Sequence, residues 1–231
     1  MKHISATSLK TFQTCPMQWM YKYDYELLQA PNPAFQIGSA YHKMVEEFHK
    51  GISVENILEN TKKDIIKKKT NDEIDMFGLL RLMFVKYAEN PIKGNTVKTE
   101  FRFNIPLPNL KVGLYGFIDR IVEGDRIVEY KTTSKDYIQE DVNNIQSHIY
   151  SYVYFKTYGK IPTVTYSVVN KKKIKQPNYR LQILEIKCTD KDLKTLETDC
   201  VNFYNDVQEK KFKANKGKHC FWCPYVNFCN K

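Results

Sequence analysis

The spacing of hydrophobic and polar residues changes period several times along this chain, and each change predicts an element. Over residues 5–14, Leu9 and Phe12 share one helical face. Ser5 or Thr7 can cap the first turn, and Pro16 forces Cys15 out of helical geometry. An aromatic segment follows (Trp19, Tyr21, Tyr23, Tyr25), and Pro31 and Pro33 mark a loop. From Gly38 the pattern predicts a helix with Tyr41, Val45 and Phe48 on its apolar side and His42, Glu46 and His49 on an adjacent one. Residues 53–90 read as two or three more helices. The period then falls to two: Val97, Thr99, Phe101 and Phe103 are expected inward, with Lys98, Glu100 and Arg102 outward. Residues 111–121 and 126–132, rich in aromatic and branched side chains, predict two further strands joined at Glu123-Gly124-Asp125. A helix over 138–158, strands over 163–169 and 179–187, and a helix over 190–212 precede a cysteine-rich end.

Composition narrows what such a chain can do. With 231 residues and 42% hydrophobic content it can bury a full core as one domain, with room for a small lobe. Thirty-six Lys and Arg against 26 acids give a formal charge of +10, which favours a polyanionic partner. No apolar run approaches ~20 residues, and MKHISATSLK lacks an apolar signal core, so the expectation is a cytoplasmic protein without a membrane partner. No G-x-x-x-x-G-K-[ST] loop is present. The run Lys62 to Lys69 reads as a solvated face. Lys171, Lys172, Lys173 and Lys175 form a basic loop, expected to be flexible, between the last two strands, where they can track a phosphate backbone, although charge alone does not choose between DNA, RNA and an anionic membrane surface.

The hairpin carries the chemistry. If its turn centres on Gly124, Asp119 lies across from Glu129, and the strand period puts Lys131 on the face of Glu129. Two hard carboxylates suit Mg2+ or Mn2+, and a neighbouring lysine supplies a point charge that orients a nucleophile and offsets developing negative charge. That is the chemistry of phosphodiester hydrolysis. The plainer alternative is three solvated charges on a surface hairpin. Glu100, on the polar face of its strand, could join the pair, although an exposed strand glutamate is the simpler expectation.

The pattern D-x9-E-x-K after a glycine-led strand resembles the PD-(D/E)XK nuclease superfamily, with Ile118 where the proline of its name would stand. Gly38-Ser39-Ala40-Tyr41-His42 and Gln146-Ser147-His148-Ile149-Tyr150 match the G-x-x-x-H and Q-x-x-x-Y motifs of its RecB-like branch. The whole is similar to iron-sulfur CRISPR-associated RecB-type exonucleases and to the nuclease domain of AddB. The resemblance implies a restriction-endonuclease-like mixed sheet flanked by helices over residues 1–231, with a mainly helical part (1–95), a catalytic sheet core (96–187) and a C-terminal helix and cysteine segment (188–231). It implies metal held by His42, Asp119, Glu129 and the Tyr130 backbone carbonyl, Lys131 at the attacking water, and Gln146 and Tyr150 placing substrate. It further implies exonuclease action on single-stranded DNA ends, in recombination, repair, CRISPR adaptation or phage DNA processing, with a helicase or other recombination or adaptation proteins as partners. The competing class is a catalytically silent nucleic-acid- or partner-binding module with a structural metal cluster.

Three thiols in Cys220-x2-Cys223-x5-Cys229 converge readily only around a cation, and six cysteines in a reducing compartment read as ligands before disulfides. Spacing leaves the metal open: zinc held by these three with Cys15 or His219, or an iron-sulfur cluster. The resemblance implies the latter, with Cys15 as fourth ligand of a [4Fe-4S] cluster joining the chain's two ends. Cys188 and Cys200 have no ligand pattern and read as buried hydrophobes.

Overall fold

The computed structural model describes residues 1–29, 33–67 and 73–229. Pro31 of the expected loop and Lys68 and Lys69 of the lysine run lie outside them. Helix α1 (Ala6–Thr14) is capped by Ser5, whose side chain accepts the Ser8 N–H while Ser8 returns the bond to the Ser5 N–H. Cys15 ends it in an extended conformation, and Pro16 opens α2 (Pro16–Trp19), which runs into a π-helical turn at Met20–Asp24. Helix α3 (Pro33–His49) starts earlier than the pattern from Gly38 suggested. Proline suits a first helical position, whose N–H would be unsatisfied anyway, so Pro33 begins the helix and does not belong to the loop. Helices α4 (Val54–Lys67) and α5 (Glu73–Glu89) complete the first half.

Five strands follow: β1 (Thr96–Pro106), β2 (Gly113–Val122), β3 (Arg126–Thr133), β4 (Thr163–Asn170) and β5 (Gln182–Lys187), lying side by side in chain order. The β1–β2, β2–β3 and β4–β5 pairs are antiparallel, whereas β3 and β4 are parallel and need a crossover. That crossover is α7 (Ile145–Tyr158). The helix expected over 138–158 is in fact two: a short α6 (Gln139–Val142), a break at Asn143, and α7 capped by Asn144, whose side chain accepts the N–H groups of Gln146 and Ser147. An asparagine that bonds two free helix donors starts a new helix. Helix α8 (Asp190–Gln208) leads to a 3₁₀ turn (Lys218–Trp222) and α9 (Val226–Cys229).

Two apolar clusters cover the two faces of the sheet. One joins α1, α2, α7 and α8 to the sheet through residues such as Leu9, Phe12, Trp19, Ile118, Ile127, Val153 and Phe203. The other packs α3, α4 and α5 on Val122, Val128, Tyr130 and Val169. This is a three-layer α/β/α arrangement of the restriction-endonuclease-like kind. Val97, expected inward, is exposed, because the β1–β2 register shifts between Thr96 and Lys98 and disturbs the alternation there. The loop of Lys171 to Lys175 is tied down where flexibility was expected: Ile174 and Tyr179 are buried in the second cluster, and the Tyr179 hydroxyl accepts the Asn170 N–H.

Gly116 on β2 faces the Phe103 ring, and a Cβ there would come within 2.7 Å of Phe103 Cζ. Phe103 is buried and packs edge-on against Tyr150 at 6.4 Å between ring centroids. Gly116→Ala should therefore overpack this seam and destabilise the fold by about 1–3 kcal/mol, read by chemical denaturation.

Candidate active site

The hairpin strands pair only briefly. Arg120 faces Val128, Ile121 faces Ile127 and Val122 faces Arg126 across the Gly124 turn, where Gly124 and Asp125 both take positive φ. Continuing that register sets Asp119 across from Glu129. At this point the strands part: the Tyr130 N–H, free of the ladder, donates to Asp119 Oδ2 at 2.9 Å. On its other side Asp119 meets β1, where Glu100 falls between the pairs Thr99–Arg120 and Phe101–Ile118. Glu100 has φ of +46°, a left-handed backbone unusual for a side-chain-bearing residue inside a strand. Three acids from three strands thus share one row.

Helices supply the remaining groups. From α3, His42 Nδ1 lies 3.3 Å from Asp119 Oδ1. His42, Glu100 and Asp119 each present a ligand atom within 4.8 Å of the others, a mixed nitrogen and oxygen set that can hold a divalent cation such as Mn2+. Glu100, expected to be merely exposed, is therefore brought into the site by its strand register and its left-handed backbone. From α7, Gln146 and Tyr150 approach Glu129. Glu129 Oε1 accepts from Lys131 Nζ at 2.6 Å and Gln146 Nε2 at 2.8 Å, and Oε2 accepts from the Tyr150 hydroxyl at 3.0 Å. Gln146 Nε2 also donates to the Tyr150 hydroxyl at 2.7 Å, and Gln146 Oε1 accepts from Lys131 at 2.7 Å. A cleft of about 580 Å³ opens onto His42, Glu100, Asp119, Tyr130 and Lys131, with the exposed ring of Phe35 at its edge.

Burial and neighbouring charge divide the two hairpin acids. Glu129 is 2% exposed, and burial, with the Asp119 charge beside it, pushes its carboxyl up to about 7. Asp119 is also penalised by burial, but His42, the Tyr130 N–H and Lys131 outweigh that and hold it below the ordinary carboxylate range. Burial opposes the charge on His42 as well, yet Asp119 prevails and lifts the imidazole to about 9. Lys131 stays charged, its burial cost exceeded by Glu129 and Asp119.

Behind the site lies a polar chain that sequence inspection missed. His49, two helical turns after His42, shares a 2.6 Å hydrogen bond with the Tyr87 hydroxyl, which meets the Tyr130 hydroxyl at 3.1 Å. Burial and the nearby Arg120 charge drop His49 to about 4, so it is neutral while His42 is charged. Arg120 itself, 2% exposed, pairs with no carboxylate among the described residues. It donates to the carbonyls of Ile92 and Gly94 and to Thr96 Oγ1, clasping the α5–β1 connection. The His42–His49 spacing of seven on one helix was the available signal.

The cysteines gather at the other end of the molecule. Cys15, Cys220, Cys223 and Cys229 line one cavity of about 230 Å³. Cys15 Sγ accepts the Asn215 N–H and Cys220 Sγ the Gly217 N–H, each at 3.4 Å. Among the described residues no three of these sulfurs fall within 4.8 Å of one another. His219 bonds the Asn215 carbonyl at 2.8 Å. Cys188 and Cys200 are buried elsewhere, and burial raises both thiols. In the basic loop, Lys173 pairs with Asp136, while Lys171, Lys172 and Lys175 make no ion pair among the described residues.

A family model for the PD-(D/E)XK nuclease superfamily matches residues 3–230, and the chain belongs to that superfamily. A crystal structure from Eubacterium rectale, of a protein named as a candidate exonuclease, superposes with a TM-score of 0.67 at 15% identity. The match covers 97% of this chain and 88% of that one, a likeness of fold. The structure of SSO0001 is more distant, with a TM-score of 0.45 at 14% identity over 99% and 85% of the two chains. No curated protein matches the sequence. The class is thus a hydrolytic nuclease of a superfamily that acts on DNA with divalent metals, and His42, Glu100 and Asp119 form a group able to hold one.

The charge state of the site sets a pH dependence for the metal-free protein. Glu129 and His42 both have folded pKa values raised, to about 7 and about 9, above ordinary values of 4.5 and 6.5. Their contribution to stability is full below the ordinary values and is lost as pH climbs through the folded ones. His49, lowered to about 4, acts in the opposite sense below pH 6.5 and offsets Glu129 there. The metal-free melting temperature should therefore fall mainly between about pH 6.5 and 9, and Glu129→Gln should uncover a rise with pH below that window, as a thermal shift series in chelator would record.

Proposed function

We propose that this chain is a metal-dependent deoxyribonuclease of the RecB-like branch, working as an exonuclease on single-stranded DNA ends. The observation that carries this reading is the convergence at the β2–β3 fork of His42 from one helical layer, Glu129 held by Gln146 and Tyr150 from the other, and Asp119 and Lys131 between them. His42, Glu100 and Asp119, with Glu129 and the Tyr130 carbonyl, are the residues that would hold Mg2+ or Mn2+. Such an ion supplies Lewis acidity and a water of lowered pKa.

The chain's own groups divide the remaining work. Lys131, charged and 2.6 Å from Glu129, is placed to steady an attacking water and offset negative charge gathering on phosphate oxygens. Gln146 and Tyr150 fix the Glu129 carboxylate, which makes them positioning groups as well as candidates for substrate contact. Holding metal requires a neutral His42 and an ionised Glu129, so binding displaces their protons and apparent affinity strengthens as pH rises towards 9. Lys171, Lys172 and Lys175, which make no ion pair among the described residues, are suited to the DNA backbone together with Lys173.

Four thiols lining one cavity, with N–H groups aimed at two of the sulfurs, support a [4Fe-4S] cluster held by Cys15, Cys220, Cys223 and Cys229. Its part is structural, joining the α1–α2 junction to the C-terminal segment. Recombination, repair, CRISPR adaptation and phage DNA processing all fit an end-directed nuclease, with a helicase as a natural partner.

Two experiments test the reading. Asp119→Ala, Glu129→Ala or Lys131→Ala should each slow cleavage of an end-labelled single strand by about a hundredfold or more with DNA binding largely retained. Full activity in folded Glu129→Ala protein would remove the site. Cys15→Ser or Cys223→Ser should lose bound iron and melt lower, while Cys188→Ser keeps its iron. Elemental analysis decides, and stoichiometric zinc in protein purified without air would replace the cluster.

A further inference from the structure

The C-terminal segment presents two large aromatic rings to solvent beside the cysteine cavity. Phe221 is 84% and Trp222 82% exposed; they end the 3₁₀ turn Lys218–Trp222 and stand between Cys220 and Cys223. Their ring centroids are 6.1 Å apart and the planes differ by 69°. A lone exposed aromatic is unremarkable, but adjacent rings this bare form an apolar patch that a folded protein usually covers with something. The other tryptophan, Trp19, is 3% exposed in the core and stacks on Phe212.

The surrounding charge identifies what covers the patch. From Lys210 to Lys231 the sequence has six lysines and no acid. Lys213, Lys216 and Lys218 are exposed and form no ion pair among the described residues. A purely apolar partner face would leave this positive charge unbalanced. A nucleic acid balances it, since its phosphates meet the lysines while flat rings meet its bases. Base faces are free only where the strand is unpaired, because in a duplex they are already stacked.

We infer that Phe221 and Trp222 form a stacking platform for unpaired bases of single-stranded DNA, flanked by Lys213, Lys216 and Lys218 as phosphate contacts. This rests on the reading that the chain handles DNA, and it assigns a binding site separate from the cleft at the β2–β3 fork. The rings stand between two of the cysteines that line the cavity, so the cluster proposed there would fix their mount. Removing one ring should matter at every base sequence, because stacking needs only a π face.

The test measures binding without turnover, on full-length protein in chelator with a labelled oligothymidylate and a blunt duplex. Trp222→Ala should weaken oligothymidylate binding by roughly five- to a hundredfold, the range for losing one stacked base, and leave duplex binding unchanged. Trp222→Tyr should keep most of the affinity. The oligonucleotide should quench the fluorescence of the exposed tryptophan, a change that Trp222→Phe abolishes. Glutamine at Lys213, Lys216 and Lys218 should lower the salt dependence of binding, which Trp222→Ala leaves intact. Unchanged oligothymidylate affinity in Trp222→Ala protein of normal melting temperature overturns the platform. So does an equal loss on strand and duplex, or a variant that binds DNA normally but changes its state of association. Absence of cleavage by the unaltered protein with Mn2+ would instead overturn the nuclease reading and leave the platform standing.

Discussion

The site depends on one hydrogen bond that a regular sheet would not contain. A ladder that continued past Arg120 and Val128 would pair the β2 and β3 backbones at Asp119, leaving no opening between the strands. The Asp119 carboxylate takes the Tyr130 N–H instead, so the strands separate without leaving a buried donor unsatisfied. Everything chemical is arranged around that fork. Helix α3 reaches Asp119 from one layer and α7 reaches Glu129 from the other, because the sheet is open between their rows. The same bond aligns Asp119 so that its second oxygen faces His42.

Charge at the fork is arranged in a gradient. His42 and Lys131 are positive, Asp119 is firmly negative, and Glu129 is poised near neutrality by burial. Two acids on one hairpin thereby acquire different characters from their surroundings alone. The neutral His49–Tyr87–Tyr130 chain holds the far side of Tyr130 without adding charge. Arg120, which could have competed for the acids, is occupied by backbone carbonyls of the α5–β1 connection.

Much of this could be read from the residues. A turn centred on Gly124 fixes the parity that sets Asp119 across from Glu129, and Gln146 and Tyr150 at i, i+4 share a helical face. The thiols of Cys15 and of the C-terminal run could be paired only through family likeness, since spacing does not relate the two ends of a chain. Glu100 was undervalued because its place depends on the β1–β2 register and a left-handed backbone, neither of which strand periodicity encodes. The break before α7 was legible in Asn144 but hidden by a continuous apolar pattern. The anchoring of the lysine loop was hidden for the opposite reason, because composition marks a loop as polar while Ile174 and Tyr179 hold it to the core. Long-range register and burial of a few apolar loop residues are tertiary facts, and local pattern cannot supply them.

The thiol cavity also constrains the order of events during synthesis. Its first sulfur belongs to residue 15 and its last to residue 229. Helix α1 leaves the ribosome before the sheet and can pack with β1 and β2 as they follow, yet the Cys15 thiol must wait until the sheet and α8 have been made before its neighbours exist. Domains generally fold as they emerge. Here the sheet and its fork can form before all four thiols of the cavity are present. Gathering the four thiols is therefore a consequence of folding the sheet rather than a nucleus for it.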